Sequence, residues 1–201
     1  MDNAVLSYEN NRRMVGILGI ALPILLLIFA PLSESISACY WTTGRDLMVG
    51  VLCSTGIFLS MYRGYDKLDS IVSKIAGISM FFIGLFPVEN PLGGDVSFLN
   101  IPGLPSSVIH TIFSVIFFIL MGYMSIFLFT KTDKGKTAQK KKRNTLYIIS
   151  GIIIWALILI MGIMRFIIKD QGSFVFFAES AMLFCFGASW LVKGRTLFKD
   201  K

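Results

Sequence analysis

A chain of 201 residues with 55% hydrophobic and only 15% charged side chains, and a mean hydropathy of +0.73, is too apolar for an ordinary soluble domain and too long for a single membrane anchor. It reads as an all-α polytopic membrane protein, a six-transmembrane-helix bundle forming a single integral domain over residues 1–201. The net charge of +7 resembles a nucleic-acid signal, but the bases sit in loops between apolar runs, so no nucleic-acid partner is expected.

A helix needs roughly 17–25 predominantly apolar residues to cross about 30 Å of hydrocarbon. The first such stretch covers approximately 14–32 and follows Arg12 and Arg13. Together with "ISAC" ending at Cys39 it mimics a lipoprotein signal peptide, but polar "SES" separates the apolar run from the cysteine, so it is read as a retained span. The second, 46–62, reaches full length only if it begins at or before Asp46; the third is 71–88. A loop follows, "PVENPLGGDVSFLNIPGLP" (87–105), with four prolines and three glycines. It exceeds what a helical hairpin requires and reads as a lid or a plain connector. The fourth span is 106–130, then comes the basic run "KTDKGKTAQKKKR" (131–143), expected to rest near anionic headgroups, and the fifth and sixth spans are 146–168 and 174–193. The three cysteines, at 39, 53 and 185, fit no C-x-x-C spacing, and no disulfide is expected.

Lysine and arginine counts set the orientation. Fifteen lie in the N-terminal arm, 63–70, 131–143 and the tail, against three in the alternate connections. Both termini are therefore expected in the cytoplasm, the N-in/C-in arrangement.

With that orientation the even-numbered helices start on the extracytoplasmic side, and the polar groups inside spans converge there. Glu179 sits in "FVFFAESAMLFCFGASW" about six residues into the sixth helix, roughly 9 Å down, and His110, the only histidine, about four residues into the fourth, roughly 6 Å down. Asp46 opens the second helix, and the first loop adds Glu34, Ser35, Ser37, Tyr40 and Arg45 at the same level. Ser107, His110 and Ser114 form one polar stripe, while Asp46, Gly50 and Cys53/Ser54 on the second helix, and Ser73, Gly77, Met80 and Gly84 on the third, are small-residue seams suited to close packing in lipid. An ionised side chain at the bilayer centre costs at least ~2.5–3.5 kcal/mol, so Glu179 implies a partner, a ligand or a water-filled cavity. The expected site is a small outer-half cavity with Asp46, His110 and Glu179 as catalytic or metal-holding groups and Glu34, Ser35, Ser37, Tyr40, Arg45 and Ser114 as ligand-binding ones.

The stretches "SISACYWTTGRDLMVG", "GIFLSMYRGYDKLDS", "AGISMFFIGLFP", "IHTIFS" and "ESAMLFCFGASWLVKG" resemble a family of small, largely uncharacterised bacterial six-helix membrane proteins along nearly the whole chain. That resemblance implies a bacterial inner (cytoplasmic) membrane and no settled activity. More remotely, Ser35 or Ser37, Asp46 and His110 follow the order of polar motifs in the CREST superfamily, which includes alkaline ceramidases and progestin/adiponectin-type receptors. Those proteins supply three histidines to zinc; here there is one, and Ser114 stands where H-x-x-x-H would place a second.

Three functions follow. The first is a site that binds or transports a small amphiphile, lipid headgroup or cation; the second is an intramembrane lipid hydrolase, with or without a divalent metal on Asp46, His110 and Glu179; the third is a structural or regulatory subunit. Membrane lipid is the expected partner throughout. A cysteine introduced at Ser97 should react with an impermeant thiol reagent from outside the cell. Labelling only after the cytoplasmic face is opened would invert the topology.

Overall fold

The computed structural model describes residues 3–93, 101–131, 137–168 and 172–196. Parts of the 87–105 loop, expected as a lid or a plain connector, and of the 131–143 run, and the last five residues, lie outside them. Six long helices account for most of the chain: α1 (Asn3–Phe29), α2 (Arg45–Met61), α3 (Lys67–Leu85), α4 (Ser106–Tyr123), α5 (Ala138–Ile167) and α6 (Phe174–Lys193). A π-helical turn, Met124–Leu128, extends α4, and a short 3-10 helix, Ser37–Trp41, precedes α2.

Among the described residues five helices are long and apolar enough to cross a membrane; α2 has 17 residues, about 25 Å of rise. The expected spans coincide with these elements except that α1 and α5 reach well beyond them at their N-terminal ends. Hydropathy finds only the part of a helix that needs oil. Polar turns such as the one joined by Arg13 and Glu9 at 3.3 Å continue the hydrogen-bond ladder outside it.

Each helix packs on its sequence neighbours, and α6 closes the ring on α1. Neighbours run antiparallel: the Tyr8 hydroxyl donates to the Arg63 carbonyl at one end of the α1–α2 pair, and Gly44 meets Ala30 and Leu26 at the other. Hence residues 8–13, 62–69, 129–131, 138–143 and 190–196 gather at one end of the bundle, and 29–44, 86–93, 101–106 and 172–176 at the other.

Glycines set how close the helices come. A Cβ on Gly77 would lie 2.6 Å from the Gly56 carbonyl oxygen, and one on Gly56 would lie 2.8 Å from that of Gly77. Gly16 and Gly187 block each other in the same way at 2.8 and 2.7 Å between α1 and α6, and a Cβ on Gly151 would lie 2.9 Å from the Gly122 carbonyl oxygen between α5 and α4. Lipid tails are as apolar as leucine, so van der Waals contact at small residues, rather than water exclusion, holds such pairs together.

The seam on α3 is as read from the sequence: Ser73, Gly77, Met80 and Gly84 are buried. That on α2 is not. Its buried face is Met48, Leu52, Thr55, Gly56 and Leu59, whereas Asp46 and Gly50 are exposed. Met48 follows Asp46 by two residues, about 200° around the helix, so the two cannot share a face. Away from the ring axis, α5 exposes Ile149, Ile152, Ile153, Leu159, Ile160 and Ile163, an apolar surface of the kind lipid covers.

Gly77→Val should destabilise the detergent-purified protein by about 1–3 kcal/mol, because it forces α2 and α3 apart. Gly50→Val, whose Cβ meets nothing within 4 Å, should leave the melting temperature nearly unchanged. Equal melting temperatures for the two variants would refute the packing role.

Candidate functional site

The segment between α1 and α2 folds inward rather than lying flat over the bundle. Ile36, Cys39 and Tyr40 are buried, the Phe176 N–H donates to the Glu34 carbonyl at 2.9 Å, and the Trp41 indole donates to the Val88 carbonyl at 3.2 Å. These bonds tie the segment to α6 and to the stretch after α3. The Ser35 hydroxyl accepts the Ala38 N–H at 2.9 Å and closes the turn that begins the 3-10 helix.

Glu179 meets this plug. Its Oε2 accepts the Ile36 N–H at 2.7 Å, and the Ser37 N–H is directed at the same carboxyl. The acid is therefore held by the free backbone donors of a short helix, which is the arrangement that suits a carboxylate. A base or a metal is not required to hold it. Sequence reading missed this partner because backbone N–H groups carry no residue signature.

His110 closes the plug from α4. Its Nδ1 lies 2.7 Å from the Phe86 carbonyl oxygen and 3.1 Å from that of Ile83, and its Nε2 lies 2.9 Å from Ser37 Oγ. Carbonyls only accept, so Nδ1 carries the proton and donates to both; in the neutral ring Nε2 is then an acceptor, and the Ser37 hydroxyl donates to it. The two carbonyls come from the last turn of α3 and the residue after it, where a helix has no backbone donors left to offer. His110 thus finishes one helix and orients a hydroxyl at once.

A cavity of about 30 Å³ lies on the ring axis beneath the plug, lined by Leu22, Ile36, Ser37, Met48, Leu52, Met80, Ile83, Ser114, Phe117, Phe118, Glu179 and Leu183. α1, α2, α3, α4 and α6 all contribute to it. Space of ~10–15 Å³ accommodates one water, so this one admits about two. Ser37, Ser114 and Glu179 supply its polar atoms.

Of the residues expected at the site, His110, Ser37, Ser114 and Glu179 come together around the plug and the cavity. Ser35 and the backbone of Glu34 shape the plug, while the Glu34 side chain is exposed. Arg45, also exposed, donates to the Tyr40 hydroxyl at 3.3 Å with its guanidinium 4.7 Å from the ring centroid, an interfacial pair outside the cavity. Asp46 is exposed and does not line the cavity. Among the described residues no three His, Cys, Asp or Glu side chains lie close enough together to hold a metal ion. Met48, Met80 and the Ile83 and Phe86 carbonyls belong to the arrangement without having been expected there.

Comparison with known proteins adds no relative: no family model, no curated protein and no solved structure matches this chain.

Ser37→Ala should cost less than His110→Ala, because losing the imidazole leaves buried carbonyls without a donor, a penalty of about 1–3 kcal/mol. The double variant should depart from additivity by at least ~0.5 kcal/mol in detergent unfolding. Additive losses would mean that the contact between serine and histidine contributes nothing.

Proposed function

We propose that this is a six-span protein of the bacterial inner membrane with both termini cytoplasmic, whose axial cavity binds, or passes on, a small cation entering from the extracytoplasmic side. The observation that carries this is Glu179, a carboxyl inside an apolar helix that lines a cavity together with two hydroxyls. Carboxylate and hydroxyl oxygens suit hard cations. Size supports the same choice among the expected ligands: about 30 Å³ accommodates water or a bare ion, whereas an amphiphile or a lipid headgroup enters only if residues 33–41 withdraw. The gathering of bases at one end supports the orientation, and the antiparallel ring supports α2 as a sixth span, its short helix being extended by the 3-10 turn and Gly44 that precede it.

A second reading rests on the 2.9 Å contact between Ser37 Oγ and His110 Nε2. In an intramembrane hydrolase Ser37 would attack a lipid carbonyl while His110 takes its proton and returns it to the leaving group, with the Phe86 and Ile83 carbonyls orienting the ring as a carboxylate does in a triad. The buried histidine and the small cavity favour the first reading, since a carbonyl substrate has no room until the plug moves.

Melting the purified protein in sodium, potassium, magnesium and calcium chlorides tests the first reading. One cation should raise the wild-type melting temperature by several degrees and leave Glu179→Gln unaffected; no response to any of them would reject a cation site. A fluorophosphonate probe separates the second reading, because only a nucleophilic Ser37 would be labelled, with labelling lost in His110→Ala.

A further inference from the structure

The opposite end of the bundle holds a second cluster, made of cations. Lys193, the last residue of α6, places its ammonium 4.9 Å from the Tyr65 ring centroid and 5.1 Å from that of Phe129, and among the described residues it forms no ion pair. It lies within the fields of Arg12, Lys140 and Arg143, with the Asp69 carboxylate acting in the opposite sense. Arg12 stacks over Tyr8 and Tyr62, 4.9 and 5.4 Å from their centroids, and gives one long bond of 3.4 Å to the Lys193 carbonyl. Its Nε is buried and has no acceptor among the described residues.

The acids nearby are committed elsewhere. Asp66 and Asp69 receive the Lys131 ammonium at 2.8 and 2.9 Å, a bond that holds Asp66 below the usual carboxylate range, and Glu9 pairs with Arg13 and Arg195, both at 3.3 Å. Lys140 donates to the Phe129 and Lys131 carbonyls. Arg12 and Lys193 therefore bring a guanidinium, an amine and an unsatisfied donor together beside aromatic rings, and among the described residues no carboxylate pairs with either. Neighbouring cations repel and a buried donor without an acceptor is costly, and an anion bound here would offset both.

We infer that Arg12 and Lys193 bind a phosphoryl group at this end of the bundle, with the arginine fork and the lysine point charge sharing its oxygens between Tyr62 and Tyr65. A guanidinium beside an ammonium suits a tetrahedral oxyanion better than a single carboxylate. The end of a membrane-spanning bundle is where phospholipid headgroups supply that chemistry.

The experiment melts the detergent-solubilised wild type at physiological salt with phosphatidylglycerol, with phosphatidylcholine, and with inorganic phosphate against chloride. Phosphatidylglycerol should raise the melting temperature more than phosphatidylcholine, and the Arg12→Gln/Lys193→Gln double variant should show an apparent affinity lower by about tenfold or more. A Lys141→Gln/Lys142→Gln control, which removes two exposed bases nearby, should respond like the wild type. Equal stabilisation by inorganic phosphate would support the site with a soluble ligand as its source. The inference is overturned if no phosphate compound stabilises the wild type, if the double variant responds fully, or if the control loses the response as well. Should the double variant not fold, cross-linking of wild type by phosphatidylglycerol with a photoreactive headgroup decides: adducts at 8–13 and 190–196 support the site, and adducts only elsewhere reject it.

Discussion

Backbone contact at paired glycines is the constraint on which this structure depends. Inside a bilayer the helices gain little by excluding solvent from one another, so their association rests on how closely they approach. Gly56 with Gly77, Gly16 with Gly187 and Gly122 with Gly151 each bring two backbones together where a methyl group would overlap a carbonyl oxygen. The ring that results is narrow. Its axis retains only about 30 Å³, lined largely by leucine, methionine and phenylalanine.

In a ring so narrow the polar groups at its mouth are satisfied from within. The end of α3 offers carbonyls without donors, the 3-10 helix offers N–H groups without acceptors, and α4 and α6 each bring one ionisable side chain to them. His110 meets the carbonyls and Glu179 the N–H groups, so residues 36 and 37 are clamped between two helices that barely touch each other. This clamp both closes the mouth of the bundle and points a serine hydroxyl, a carboxyl and a second serine toward the remaining space. Closure of this end and the lining of the cavity are thus one arrangement.

The other end solves the same problem with the opposite sign. Arg12 and Arg13 donate to the last carbonyls of α6, and Lys140 to those following α4, so the cations complete helix C-termini where the backbone has run out of donors. The bases gathered at this end thereby also finish its helices, and Arg12 and Lys193, which pair with no carboxylate among the described residues, set this cluster apart.

Six helices, their approximate spans and the end that carries the bases were legible in the sequence, because length, hydropathy and charge act locally along the chain. So was the convergence of Glu179 and His110, since each lies in the first two turns of a helix that starts at the end where Ser37 lies. Periodicity misjudged α2: small and polar residues at 46, 50 and 53 looked like an inward seam, yet the face two residues further round carries Met48, Leu52 and Gly56 and packs on α3. The polar partners were invisible for a different reason. Glu179 and His110 are satisfied by the N–H groups of residues 36 and 37 and the carbonyls of residues 83 and 86, atoms that every residue type possesses. What the sequence by itself determined was which segments prefer oil and how far along its helix each polar side chain lies. Only the tertiary structure decided which of them meet, because that depends on helix rotation and on unpaired backbone groups, which arise where helices end and chains fold back.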